Sequence, residues 1–214
     1  MFFKNKKQNN IPEATPVRVS SFLTRNSKFE GNITTGDNVE IGGEFIGNID
    51  CKREIIIGEF GSILGDIKAE KITSNGKIVG KVICDSFEGD DKSFTKDKIE
   101  AKSVSMTGIF EGVIECETLC IKESGNVKAT VQAKNIEISG KIEGDIACET
   151  LSTTMHANVK GKLFVNQLLN NGGTIDGFIG KYQEILTNEI EIEKEGSKIS
   201  NNVEAVKEKE LLPS

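Results

Sequence analysis

The chain has no tryptophan, one tyrosine, one histidine and no run of 18 apolar residues. Each absence removes a class of explanation. With aromatics at 6% of the residues, no compact aromatic core is available. Without a long apolar run there is no transmembrane helix to expect. The formal charge of −6 argues against nucleic acid as a partner, because phosphate binding needs clustered Lys and Arg. The single histidine, His156, lies in Thr153-Thr154-Met155-His156-Ala157, with no acidic or nucleophilic partner set by a motif. It reads as a solvent-facing loop residue. None of the Gly-Lys pairs has the earlier Gly and the following Ser or Thr of a phosphate-cradling loop, so no cofactor or nucleotide is expected. A secretory signal is not expected either, since Met1-Phe2-Phe3 runs directly into Lys4, Asn5, Lys6 and Lys7. These readings predict a cytosolic protein.

What the chain has is a repeat. A small residue returns every 15 to 18 positions, two places after an Ile or Val: Cys51, Ala69, Cys84, Ala101, Cys116, Ala133 and Cys148. From Ala69 onward the steps alternate between 15 and 17. Four residues earlier runs a glycine series: Gly47, Gly65, Gly80, Gly112 and Gly144, continued by Gly161 and Gly177. So short a period, without helical spacing inside it, is the signature of stacked coils. Within a coil such as Gly140 to Leu151, apolar and polar residues alternate, which turns one side of each short strand inward. Glycines such as Gly140 and Gly144 mark the bends. Cys84, Cys116 and Cys148 recur every second coil, about 10 Å apart at strand spacing. That is too far for a disulfide or a shared zinc ion, so the cysteines read as core packing.

The expected organisation is a disordered N-terminal tail over residues 1–20, one elongated body of about ten short coils over 21–182, and a polar, mostly disordered tail over 183–214. Charge interrupts the apolar alternation around Asp90 and Asp91, which reads as a polar loop inside the rod because the register resumes at Ile99. Asn170-Asn171-Gly172-Gly173 reads as another loop. In the tail, Glu189 to Glu193 alternates Glu with Ile before Lys194 and Glu195, a pattern that a short terminal strand would also show. A coil of about 16 residues cannot bury its own Ile and Val. Stacking buries them in ladders and pairs the backbone with the coils on either side. The exceptions are the two ends, where no amphipathic helix is evident as a cap. Phe22, Leu23 and Phe29 cluster at one end, and Leu163, Phe164, Ile175, Phe178 and Ile179 at the other, as candidate polymer-interface residues.

Serial Gly-x-Ile-x-Gly-x-Ile coils, as in Gly76 to Val82 and Gly140 to Ile146, resemble the bactofilins, a family of bacterial polymer-forming cytoskeletal proteins. The resemblance covers roughly residues 21–182. It implies an all-β, single-stranded β-helix solenoid, right-handed and triangular in section, that assembles end to end into nonpolar filaments without a nucleotide. Met1-Phe2-Phe3-Lys4-Asn5-Lys6-Lys7 is similar to the family's short membrane-targeting peptide. Met1, Phe2, Phe3, Lys4, Lys6 and Lys7 are therefore candidate membrane-binding residues, the rings entering the lipid interface and the lysines meeting anionic headgroups. The expected partners are other copies of the chain, the inner face of the cytoplasmic membrane, and cell-envelope or cell-shape proteins. A hexapeptide-repeat acyltransferase is the rival β-helix class, but its 18-residue coils fit the alternating step poorly. A passive β-solenoid binding protein is the third reading.

Overall fold

The structure is a computed structural model and describes residues 21–182. Eighteen strands, all paired in parallel, form one continuous ladder wound into a three-walled solenoid. The first wall begins with Lys28–Glu30 and stacks through Glu44–Ile46, Ser62–Leu64 and Lys77–Val79. Ile33–Thr35 and Ile49–Cys51 begin the second wall, and Ser21–Leu23 and Val39–Ile41 the third. Farther along, single strands such as Ile109–Ile121 and Asn126–Ile138 run round all three walls. The expected stack of about ten coils is what forms.

The inward residues make ladders one coil apart. Along the first wall the sequence is Phe29, Phe45, Ile63, Ile78, Thr95, Phe110, Val127, Ile142, Val159 and Ile175. Phe29, on the first rung, is 38% exposed although it stacks on Phe45 with centroids 5.2 Å apart, whereas Phe45 itself is 0% exposed. Burial therefore comes from the neighbouring coil. At roughly 1.5–3 kcal/mol for a buried Ile or Phe, each added coil is stabilised mainly through its contact with the last.

Glycine predominates where the first wall turns into the second, with Asp97 and Ala129 at the same place in two coils. Gly47, Gly65, Gly80, Gly112, Gly144, Gly161 and Gly177 have φ between 133° and 147° there. A Cβ at Gly144 would lie 2.0 Å from the carbonyl oxygen of Ala129 in the coil below. Outside this corner, side-chain oxygens continue the stacking. Asn32 Oδ1 accepts from the Asn48 N–H, Asn48 Oδ1 from Asp66 and Asp66 Oδ1 from Lys81, each at 2.9 Å.

The alternation of 15 and 17 arises where the third wall returns to the first. Asn75-Gly76, Thr107-Gly108 and Ser139-Gly140 turn this corner in two residues. Residues 58–61, 90–93, 122–125 and 154–157 take four, each closed by an N–H to C=O bond between its ends: Gly61 to Gly58 at 2.8 Å, Ser93 to Asp90 and Gly125 to Lys122 at 2.9 Å, Ala157 to Thr154 at 3.1 Å. Residues 24–27 close in the same way. Ile72 thus pairs with Phe87 across a short turn, and Phe87 with Val104 across a long one. The charged stretch at Asp90, expected as an irregular loop, is one of five equivalent long turns. What sets its coil apart lies inside: Ser93 and Thr95 are buried, and their hydroxyls have no hydrogen-bond partner.

Candidate functional site

The solenoid offers two kinds of surface, its ends and its outer walls. At the first end, Ser21–Leu23, Lys28–Glu30 and Ile33–Thr35 each pair on one side only. At the other, the same holds for Thr174–Gly180 and for the part of Asn158–Asn170 that lies on the third wall. Among the described residues, each end thus presents three strand edges with no further strand paired to them.

Only some of the expected interface residues sit on these ends. Leu23 and Ile175 are partly buried against the core, Phe29 is exposed, and Ile179 is 49% exposed on the last rung above Leu163. Leu163 itself is fully buried by that rung, so it belongs to the core. Phe164 and Phe178 stand at outward positions of the second wall, where their rings tilt together with centroids 6.0 Å apart. Strand alternation explains this, because each is one residue out of phase with inward-facing Leu163 or Ile179. The backbone of Phe22 pairs with Glu40. Met1, Phe2, Phe3, Lys4, Lys6 and Lys7 lie outside the described residues.

The long turns form a ridge along one corner, every second coil. Neighbouring turns touch at each step: Arg25 lies 3.6 Å over the Phe60 ring, Lys92 bonds Glu59 at 2.6 Å, Ser124 donates to Asp91 at 3.1 Å, and His156 Nδ1 is 3.6 Å from Glu123. Two outer rows alternate in charge from coil to coil, Asp85, Lys102, Glu117, Lys134, Glu149 and Lys96, Glu111, Lys128, Glu143, Lys160, Asp176. Lys98 joins Glu100 at 2.8 Å and Glu115 at 2.9 Å. Hydrogen bonds from Lys98, and next from Lys81, hold the Glu100 carboxyl below its ordinary range. These pairs are at least partly exposed to solvent and add little stability. Their regularity favours one register. His156 is an exposed turn residue, as the sequence predicts, although it does have Glu123 beside it. Among the described residues no group of three or more His, Cys, Asp or Glu is placed to hold a metal ion.

A family model described as "Bactofilin: Polymer-forming cytoskeletal" matches residues 21–107 and again residues 89–180. The chain belongs to the bactofilin family. No curated protein and no solved structure matches it. The two matches overlap over residues 89–107 and together span residues 21–180, nearly all of the coil stack. Family and fold together make this a polymer-forming cytoskeletal protein.

In the bactofilin rod, the Cys and Ala residues share one inward slot at the end of the second wall, with Cys84 between Ala69 and Ala101 and Cys148 between Ala133 and Val165. All five thiols are free. Burial pushes the thiols of Cys84, Cys116 and Cys148 up to about 12, with Asp85 adding to the effect at Cys84. Cys120 departs from the expected core role. It lies on the outer row of the third wall between Ser105 and Glu137, and was never part of the small-residue series. An acid whose folded pKa is raised costs stability at high pH, because the unfolded chain loses its proton first. The rod therefore loses stability from about pH 9 toward pH 12. Replacing Cys84, Cys116 and Cys148 by Ala, the natural occupant of alternate coils, is expected to flatten that loss. Unfolding midpoints measured across this pH range check it.

Proposed function

We propose that this chain is a cytoskeletal scaffold that polymerises end to end, without nucleotide, into filaments on the inner face of the cell membrane. There it organises cell-shape or envelope machinery. The observation that carries the reading is that, among the described residues, neither end of the coil stack is capped. Every interior coil has a partner above and below, whereas the terminal rungs, Phe29 at one end and Ile179 at the other, leave apolar side chains open. Joining ends buries those rungs and pairs their strand edges with no new fold and no bound cofactor.

Membrane association is supported by the N-terminal sequence. Lys4, Lys6 and Lys7 would each contribute about 1 kcal/mol near an anionic surface, with Phe2 and Phe3 at the lipid interface. One such peptide binds weakly. A filament presents many, and multivalency makes the attachment durable. The test is electron microscopy of the purified chain without nucleotide, followed by flotation with anionic vesicles. Filaments are expected in both settings, and deleting residues 2–7 should abolish flotation and leave filaments unchanged. Persistent monomers across salt conditions would remove the polymer reading, and unchanged flotation would remove the peptide's role.

A further inference from the structure

The outer surface of the first wall is not uniform. Toward the far end of the rod it carries the alternating lysine and acid row. Over the first six coils it carries a diagonal apolar stripe instead: Ile46, Leu64, Val79, Phe94 and Ile109, with Leu64 53% and Ile109 44% exposed. Charges flank this stripe, Lys28, Glu44 and Lys77 on one side and Lys96 and Glu111 on the other, with Glu30 just before it. Such a stripe on a flat sheet face marks a contact surface.

The positions of these side chains identify the occupant. Each three-residue strand on this wall offers two outward positions: Lys28 and Glu30, then Glu44 and Ile46, Ser62 and Leu64, Lys77 and Val79, Phe94 and Lys96. A second copy laid face to face and antiparallel, about a two-fold axis along the Ser62–Leu64 strand, brings like positions together in reversed order. Leu64 then meets Leu64, Ile46 meets Val79, Glu44 meets Lys77, and Glu30 meets Lys96. Lys28 meets Phe94, a ring that already has the Lys77 ammonium 6.0 Å from its centroid. Within these five strands every charge faces an opposite charge or a ring and every aliphatic side chain faces another, while Ile109 lies beyond the overlap.

Nearby registers fail. Moving the axis to the Lys77–Val79 strand sets Lys77 against Lys77 and Ile46 against Glu111. Placing it between the two strands sets Glu30 against Glu111. A parallel pairing sets Ile46 against Glu44, Val79 against Lys77 and Ile109 against Glu111. We infer that the first wall, from Lys28 to Lys96, is a self-complementary lateral interface through which two antiparallel rods of this chain pair about Leu64.

The contact is small. Five strands about 4.8 Å apart give each copy a footprint on the order of 250 Å², far below the roughly 800 Å² per partner of a stable complex. One contact therefore does not hold a dimer. Repetition along a polymer does, so the inference rests on the filament reading.

The experiment combines imaging with cross-linking. Wild-type filaments are expected to lie in side-by-side pairs. Leu64→Lys puts two like charges at the centre, weakens each contact by more than about tenfold, and should give single filaments. Glu44→Lys should also separate them, and adding Lys77→Glu should restore pairing. Separately, Leu64→Cys under mild oxidation should form a symmetric disulfide-linked dimer, whereas Gln132→Cys, outward on the second wall, should not. Wild-type filaments that stay single, or pairs that survive Leu64→Lys, overturn the inference and assign the stripe another occupant. Cross-linking needs no filament, which keeps the two readings separable. Dimers through Leu64→Cys without filaments would sink the polymer reading alone, and filaments without those dimers would sink the lateral interface alone.

Discussion

Gly144→Ala is expected to destabilise the rod by on the order of 3 kcal/mol or more, read as a fall in its denaturant or thermal midpoint. Two costs add at this position. The backbone holds φ at 143°, a region that residues with a Cβ rarely adopt, and the new methyl carbon would sit 2.0 Å from the carbonyl oxygen of Ala129. That carbonyl belongs to the ladder between coils, so the clash cannot be relieved by a side-chain rotation. It forces two coils apart. Gly36→Ala provides the comparison, since nothing lies within 4 Å of a Cβ there and its effect should stay within about 0.5 kcal/mol. The same corner supplies the opposite sign. Asp97 occupies the slot between Gly80 and Gly112 with φ at 105°, so Asp97→Gly should raise stability by about 1 kcal/mol. Equal responses at 36 and 144 would remove the corner explanation.

Ile179→Arg is expected to stop filament growth while leaving the coil stack folded. The residue is half exposed on the last rung, so the free rod tolerates the charge. Burying it unpaired in a joint costs roughly 2–5 kcal/mol, about thirtyfold to several thousandfold in affinity. The product also reports filament polarity. If unlike ends join, the variant stays monomeric. If like ends join, it stops at a dimer held by the unaltered end, and Phe29→Glu stops at the complementary dimer. The rungs favour like ends, because an unlike joint that continued the walls would set Asp176 over Glu30 and Asn170 over Leu23. Sedimentation of the two single variants separates the cases. Phe178→Arg should have a much smaller effect, since Phe178 projects outward from the second wall.

The repeat was legible because each coil meets the same constraints at the same places. The glycine corner must avoid a carbonyl, and the inward slot beside it is held by Cys or Ala from Cys51 to Cys148, so Gly144 and Cys148 announce themselves in the sequence. The stack height follows from counting those positions. Turn lengths were less legible, because a polar four-residue turn such as 90–93 looks like an interruption until its hydrogen bond from Ser93 to Asp90 is seen. The end residues were legible only in part. Leu163 and Phe164 are neighbours in sequence, yet one is buried and the other faces outward, and composition at a terminus does not tell them apart. The stripe around Leu64 was not legible at all, since outward apolar residues 15 to 18 positions apart become neighbours only after the chain is wound.

The alternation of short and long turns also makes length a quantised property of this scaffold. Removing or adding one coil would set two turns of the same length side by side and bring equal charges together in both outer rows. Removing or adding two coils, about 32 residues and roughly 10 Å of rod, preserves the ridge, the charge order and all three walls. The chain is thus a ruler graduated in pairs of coils, and duplication of its own segment is the natural way for it to change span.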